Sequence, residues 1–209
     1  MSNTSYHHGD LKNSLILAAQ NILREEGADA LSLRAIAADV GVSHMAPYSH
    51  FKNKKELFQA VAAAGFEELG DRMLAASESL DEAKALILAY GSAYVEFAVN
   101  NAQLYRVMLG QVEAGGRRKK SSETGSKNAD NLVVSAELEE SSKRPFRLLR
   151  DAFAMENDNS SEVMAQALGA WAMVHGMASL IVEGHIRIPE GMEVNEFLSM
   201  AAVQSRLPL

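Results

Sequence analysis

Between Ser32 and Phe58 the chain has room for two short helices and almost nothing between them, and that spacing limits what it can build. Ser32-Leu33-Arg34-Ala35-Ile36-Ala37-Ala38-Asp39-Val40 opens on a serine suited to a helix N-cap. It places Leu33, Ile36, Ala37 and Val40 on one helical face. Gly41 can take the positive φ of a sharp exit, and Ser43 is placed to cap a second helix a few residues on. The pattern is a helix-turn-helix. Its second segment carries Met45, Tyr48, Ser49 and His50, and Lys52, Lys54 and Lys55 follow. Hydroxyls, an imidazole and ammonium groups in that order suit base edges and phosphate oxygens, so the residues point to sequence-specific binding of double-stranded DNA.

The rest of the chain reads as helix throughout. Leu11, Leu15, Ala18, Ala19, Ile22 and Leu23 recur at helical spacing, and Gly27 is a C-terminal stop. With the helix-turn-helix pair this makes a three-helix unit, because two short helices alone expose too much apolar surface. Asn53-Lys54-Lys55-Glu56 has the form of a capping box leading into Leu57, Phe58, Val61, Phe66 and Leu69, a helix expected to bridge two domains. A further helix is predicted over 81–99, interrupted at Asn100-Asn101 before Leu104, Tyr105, Met108 and Leu109.

Over 110–130 the periodicity fails among glycines, serines and the basic run Arg117 to Lys120, and a mobile loop is expected. Helical patterning returns over 132–155, where Pro145 should start a new helix or kink this one. A second capping box, Asn159-Ser160-Ser161-Glu162, opens a helix through Val163, Ala167, Trp171, Val174, Ala178 and Ile181 toward Gly184. The same helix carries a stripe of small residues, Gly169, Ala172, Gly176 and Ser179, of the kind that admits another helix closely. A last helix is expected over 193–205. No strand-like alternation, internal repeat or transmembrane run is found. The fold class is therefore all-α: a three-helix DNA-binding domain over 1–57, and a larger helical domain over 58–209, to which the resemblance given below implies a regulatory and dimerisation role.

Charge at first argues against a nucleic-acid partner, since the net charge is -7. Its distribution reverses the argument. From Ser32 to Lys55 there are four basic residues, Arg34, Lys52, Lys54 and Lys55, and a single acid, Asp39. A small basic face on an acidic body orients an encounter with DNA and disfavours indiscriminate coating. The absence of cysteine excludes disulfides, thiolate zinc sites and cysteine nucleophiles. No signal-peptide pattern opens the chain, so a cytoplasmic protein without a membrane span is expected. No catalytic constellation, metal-ligand spacing or cofactor motif is found, and an enzyme is not expected. Glu67-Glu68 and Glu139-Glu140 read as solvated helix charges.

These residues identify a resemblance to the TetR (tetracycline-repressor) family of bacterial transcriptional regulators. Ser32, Arg34, Ile36, Ala37 and Gly41-Val42-Ser43 match the first two helices of that family's reading unit. Tyr48, His50, Phe51, Lys54 and Leu57 match its Tyr-x-His-Phe-x-x-Lys-x-x-Leu run. Trp171-Ala172-Met173-Val174-His175-Gly176 is similar to the Trp-x-x-x-His-Gly pattern of one C-terminal domain type in the family. The resemblance implies a homodimer that binds palindromic operator DNA, usually represses, and is released by a small-molecule effector. It puts Tyr48, His50 and Lys54 on the DNA backbone and turns His44, Met45 and Ser49 to the major groove; Ser32, Arg34 and Ser43 complete the candidate DNA-binding set. Pro47 departs from the general pattern and shortens the groove-facing helix.

For the effector, Trp171 and His175 are four apart and share a helical face, either lining a cavity or packing as core. Tyr90, Tyr94, Phe97, Tyr105, Met108 and Phe153 are the other candidate ligand-binding residues, each with the same two readings. The alternative function is a helical small-molecule-binding or interaction module without operator recognition.

Overall fold

The computed structural model describes residues 8–121 and 134–204, which hold eight α-helices and one 3-10 turn and no strand among the described residues. The helices are α1 (His8–Glu25), α2 (Leu33–Val40), α3 (Lys54–Ala75), α4 (Ala83–Asn100), α5 (Ala102–Ser121), α6 (Ala136–Ala154), α7 (Ser160–Val182) and α8 (Val194–Gln204), with the 3-10 turn at Ala46–Ser49. The all-α expectation is met.

The chain forms two compact units. The first comprises residues 1–65 and 103–142, the second residues 66–102 and 143–209. In the first, α1 packs on α2, and α2 on the 3-10 turn. Leu15, Ala19, Leu23, Leu31, Ile36, Phe51, Leu57 and Val61 are buried there, as are Leu104, Met108 and Leu138 from the later stretch. Local chemistry sets the ends of these helices. Ser32 is extended at φ -149 and its side chain accepts from the Ala35 amide, while Gly41 at φ 75 turns the chain out of α2. Gly27 at φ 86 does the same after α1.

In the second unit α4 packs against both α7 and α8. Tyr94, Val95, Phe97 and Ala98 meet a core that includes Ala167, Val174, Ala178 and Leu198. Asn159 caps α7 by accepting from the amides of Ser161 and Glu162. Its other face is uncovered: Met164, Leu168 and Leu180 are exposed, and Met200 of α8 is exposed as well.

Three expectations are corrected. The loop expected over 110–130 is helical as far as Ser121, because Gly110, Gly115 and Gly116 each cost only about 1 kcal/mol against good helix formers on both sides; residues 122–133 lie outside the described part, as does Ser205. Of the two readings of Pro145, the start of a new helix is not seen: it sits inside α6, which forgoes one backbone bond there. The second helix of the pair is one 3-10 turn whose N-cap is Met45 without a side-chain cap, so Ser43 does not cap it. By length and composition alone α7 is apolar enough to cross a membrane, a test that core helices also pass, and the expectation of no span is not overturned by it. Ser, Gly and His punctuate its apolar residues.

Candidate nucleic-acid interface and effector pocket

The 3-10 turn is pinned from within and open on the outside. Pro47 is buried, and its carbonyl accepts from the amides of His50 and Phe51 at 3.0 and 2.9 Å. Phe51 is buried beside it. Ser43, His44, Met45, Tyr48 and Ser49 are exposed, as are Arg34 on α2, Lys52 just before α3 and Lys54 at its start. The structure thus brings most of the expected DNA-binding residues to solvent on consecutive elements. Ser32 is half-buried and its oxygen already accepts from Ala35 at 3.1 Å, leaving its proton as the group available to a phosphate. Ser49 donates to the Ala46 carbonyl at 2.7 Å, so toward a base it can only accept.

His50 is placed differently. Its Nε2 is buried and has no hydrogen-bond partner among the described residues, so a phosphate contact by that atom requires the ring to turn outward. Beside it a cleft of about 460 Å³ includes Lys12, His50, Lys55, Glu56 and Glu137 in its wall. Lys12 and Glu137 pair there at 3.2 Å, and the cations and carboxylates balance.

The start of α3 is built for rigidity. Asn53 accepts from the Glu56 amide at 2.9 Å, and the Glu56 carboxylate accepts in return from the Lys52 amide at 2.9 Å. The capping box is therefore present with its return bond shifted one residue outward. Lys54 lies at the positive end of this helix, its ammonium 5.3 Å from the Phe58 ring centre. Helix N-terminus and lysine together suit a phosphate.

In the second unit the expected effector residues sort into two groups. Tyr94, Trp171 and His175 form one cluster. The Tyr94 hydroxyl lies 2.9 Å from His175 Nδ1, Trp171 meets Tyr94 edge-on at 5.2 Å, and Trp171 stacks on His175 at 6.2 Å. Phe146 meets Trp171 edge-on at 5.8 Å. Tyr90, Tyr94 and Trp171, with Met73, Gly91, Leu149 and Val174, line a void of only about 10 Å³. Phe97, Phe153, Tyr105 and Met108 line no part of that void. Phe97 is buried with the Arg72 guanidinium 5.6 Å from its ring centre, Phe153 is half-buried, and Tyr105 and Met108 are buried in the first unit.

Sequence reasoning missed a charged latch and misread one of its members. Glu67 and Glu68 are paired rather than merely solvated: Glu68 accepts from Arg72 at 2.8 Å, and Glu67 accepts from Arg144 at 2.6 Å. Arg144 also donates to Asp71 at 2.6 Å and to the Glu67 carbonyl at 2.9 Å. Burial works to lower the Arg144 pKa, yet the hydrogen bonds and charges of Asp71 and Glu67 outweigh it and raise the pKa above its ordinary value. Gly70 makes room for this side chain, since a Cβ there would stand 2.9 Å from Arg144 Cδ. The signal in the sequence was a pair of acids four apart around a glycine, with nothing local to name the cation.

Residues 15–61 match the family model described as bacterial regulatory proteins, tetR family, and residues 87–202 match tetracyclin repressor-like, C-terminal domain. The chain is 43% identical over 56 residues to the class A tetracycline repressor protein from transposon 1721 of Escherichia coli, covering 27% of this chain and 26% of that protein. It is 40% identical over 60 residues to the nicotine-responsive transcriptional repressor HdnoR of Paenarthrobacter nicotinovorans, covering 29% and 31%. The chain thus spans about a quarter to a third of the length of these curated relatives. A solved structure of a protein of unknown function from Rhodococcus sp. RHA1 superposes with a TM-score of 0.68 at 28% identity, covering 97% of this chain and 96% of that one.

Proposed function

Because the chain belongs to the TetR family of bacterial transcriptional regulators, with a DNA-binding helix-turn-helix, we propose that it is a ligand-responsive repressor that binds a palindromic operator as a homodimer. The observation that carries this reading is the exposed face of His44, Met45 and Tyr48 with Lys52 and Lys54 beside it, held by buried Pro47 and Phe51. On this reading residues 1–57 hold the DNA, with Tyr48 and Lys54 on phosphates and His44, Met45 and Ser49 toward bases. Arg34, Ser32 and Ser43 add contacts at the flanks. It acts on operator DNA in the cytoplasm.

Dimerisation is supported by the uncovered apolar side chains Met164, Leu168 and Leu180 of α7 and Met200 of α8. One 3-10 turn reads very few base pairs, whereas a two-fold dimer reads two half-sites and combines their free energies. The effector reading rests on the aromatic cluster of Tyr90, Tyr94, Trp171 and His175, and repression with release by a small molecule is the mode that a nicotine-responsive relative suggests.

Selection of bound duplexes from random sequence by the full-length protein, followed by gel shift in a salt series, tests the reading. A palindrome should emerge whose affinity falls steeply with salt. Failure to enrich any sequence, together with tight small-molecule binding, would instead favour a helical binding module that no longer reads DNA.

A further inference from the structure

From Gly41 to Phe51 the chain contains no Arg, Lys, Asn or Gln. Those are the side chains that make bidentate hydrogen bonds to guanine and adenine in the major groove. Whatever sequence this segment reads must be read with other chemistry, and the one-turn helix decides which. Residues three apart in a 3-10 turn eclipse one another, which puts Met45 and Tyr48 on one side. Both project into solvent, at 60% and 51% exposure. Pro47 faces inward, and the Ser49 proton is already given to the Ala46 carbonyl.

Tyr48 ends in a hydroxyl that serves a phosphate as well as a base edge. Met45 has no donor at all, and its thioether and terminal methyl are apolar and polarisable. A lone exposed apolar side chain is ordinary on a protein surface. Here it stands where the neighbouring exposed side chains, Ser43, His44, Tyr48 and Ser49, all carry polar groups, and Lys52 and Lys54 follow close by. The apolar mark that a base presents in the major groove is the C5-methyl of thymine. Resting on the DNA-binding reading above, we infer that Met45 is a specificity-determining residue of this segment, recognising a thymine methyl group in each half-site.

The inference is tested by methyl deletion. Each thymine of the selected operator is replaced, in both half-sites at once, by deoxyuridine, which keeps the base pair and removes only the methyl. Binding is then measured for the wild-type homodimer and for Met45→Ala. One buried methyl is worth about fourfold in affinity, so deoxyuridine at the contacted thymine should weaken wild-type binding by roughly fifteenfold over two half-sites. Met45→Ala should show no such loss at that position while keeping wild-type thermal stability, because the side chain is largely exposed. Wild-type and variant proteins with the same deoxyuridine profile, or an operator with no methyl-sensitive thymine, would overturn the assignment while leaving DNA binding intact. Failure to select any operator would overturn both.

Discussion

Gly169 and Gly176 lie on α7, and a Cβ added to either meets nothing within 4 Å in the single chain. For an isolated chain, replacing each by alanine should therefore help, by about 1 kcal/mol of helix propensity. That gain corresponds to roughly 2–4 °C in Tm for a chain of this size. If α7 instead packs against α7 of a second copy through its small-residue stripe, each new methyl enters a tight contact at a cost of about 1–3 kcal/mol. Two-fold symmetry applies that cost twice, so Gly176→Ala should weaken the dimer by about thirtyfold or more. Sedimentation equilibrium on the wild type, Gly169→Ala and Gly176→Ala measures the dimer constant directly, and denaturant unfolding of each gives its stability. Gly65→Ala serves as the contrast, because its Cβ would stand 2.7 Å from Met108 Sδ within the buried core and should destabilise the chain in any assembly. An unchanged dimer constant with a higher Tm in both α7 variants would show the stripe to be a solvated face and refute its role in dimerisation.

Lys54→Ala should weaken operator binding across sequences and lower the salt slope by about 1, as one phosphate contact is lost; an unaltered slope would remove Lys54 from the interface. Arg144→Met should cost about 1–2 kcal/mol in denaturant unfolding, a modest figure because Glu67 and Asp71 are half or more exposed and their pairs are screened. No loss of stability there would mean the latch is ornamental. Tyr94→Phe should cost about 1 kcal/mol by removing the hydroxyl that meets His175, and equal thermal stability of the two proteins would argue that the bond contributes nothing net.

What the sequence revealed was whatever a few neighbouring residues decide among themselves. Ser32, Gly41, Asn53 and Asn159 act on amides and carbonyls within a few residues, so their caps and turns were readable from spacing. The loop expected over 110–130 failed, as far as Ser121, for the opposite reason. Three glycines weaken a helix locally, but the propensity of their neighbours overrules about 1 kcal/mol apiece. Arg144 and Glu67 stand 77 residues apart, and no local rule pairs them. Trp171 and His175 were legible as one face because they share a helix, whereas their partner Tyr94 is 81 residues from His175 and joins them only through the packing of α4 on α7. The DNA-facing residues were visible by motif, but that Ser49 has spent its proton and His50 has buried Nε2 are facts of three dimensions.

The closed state of the aromatic cluster bears on how an effector would act. A void of about 10 Å³ admits one water at most, whereas small-molecule sites span a few hundred Å³. An effector at Tyr90, Tyr94 and Trp171 must therefore select a conformation in which these rings part, and such a difference in affinity between states is what allows a ligand to shift an equilibrium. Opening gives up the edge contacts of Trp171 with Tyr94 and Phe146, at about 0.5–1.5 kcal/mol each, and the Tyr94–His175 bond, at about 1 kcal/mol. The sum is roughly 2–4 kcal/mol, less than half of the ~8 kcal/mol that micromolar binding supplies. Parting these contacts is thus within reach of a ligand that binds at micromolar concentration. Trp171 is the only tryptophan in the chain, so its fluorescence reports this cluster alone. A compound that releases the operator should shift Trp171 emission in step with release, and Trp171→Phe should change the compound's affinity. Release with no change in emission would place the effector away from these rings.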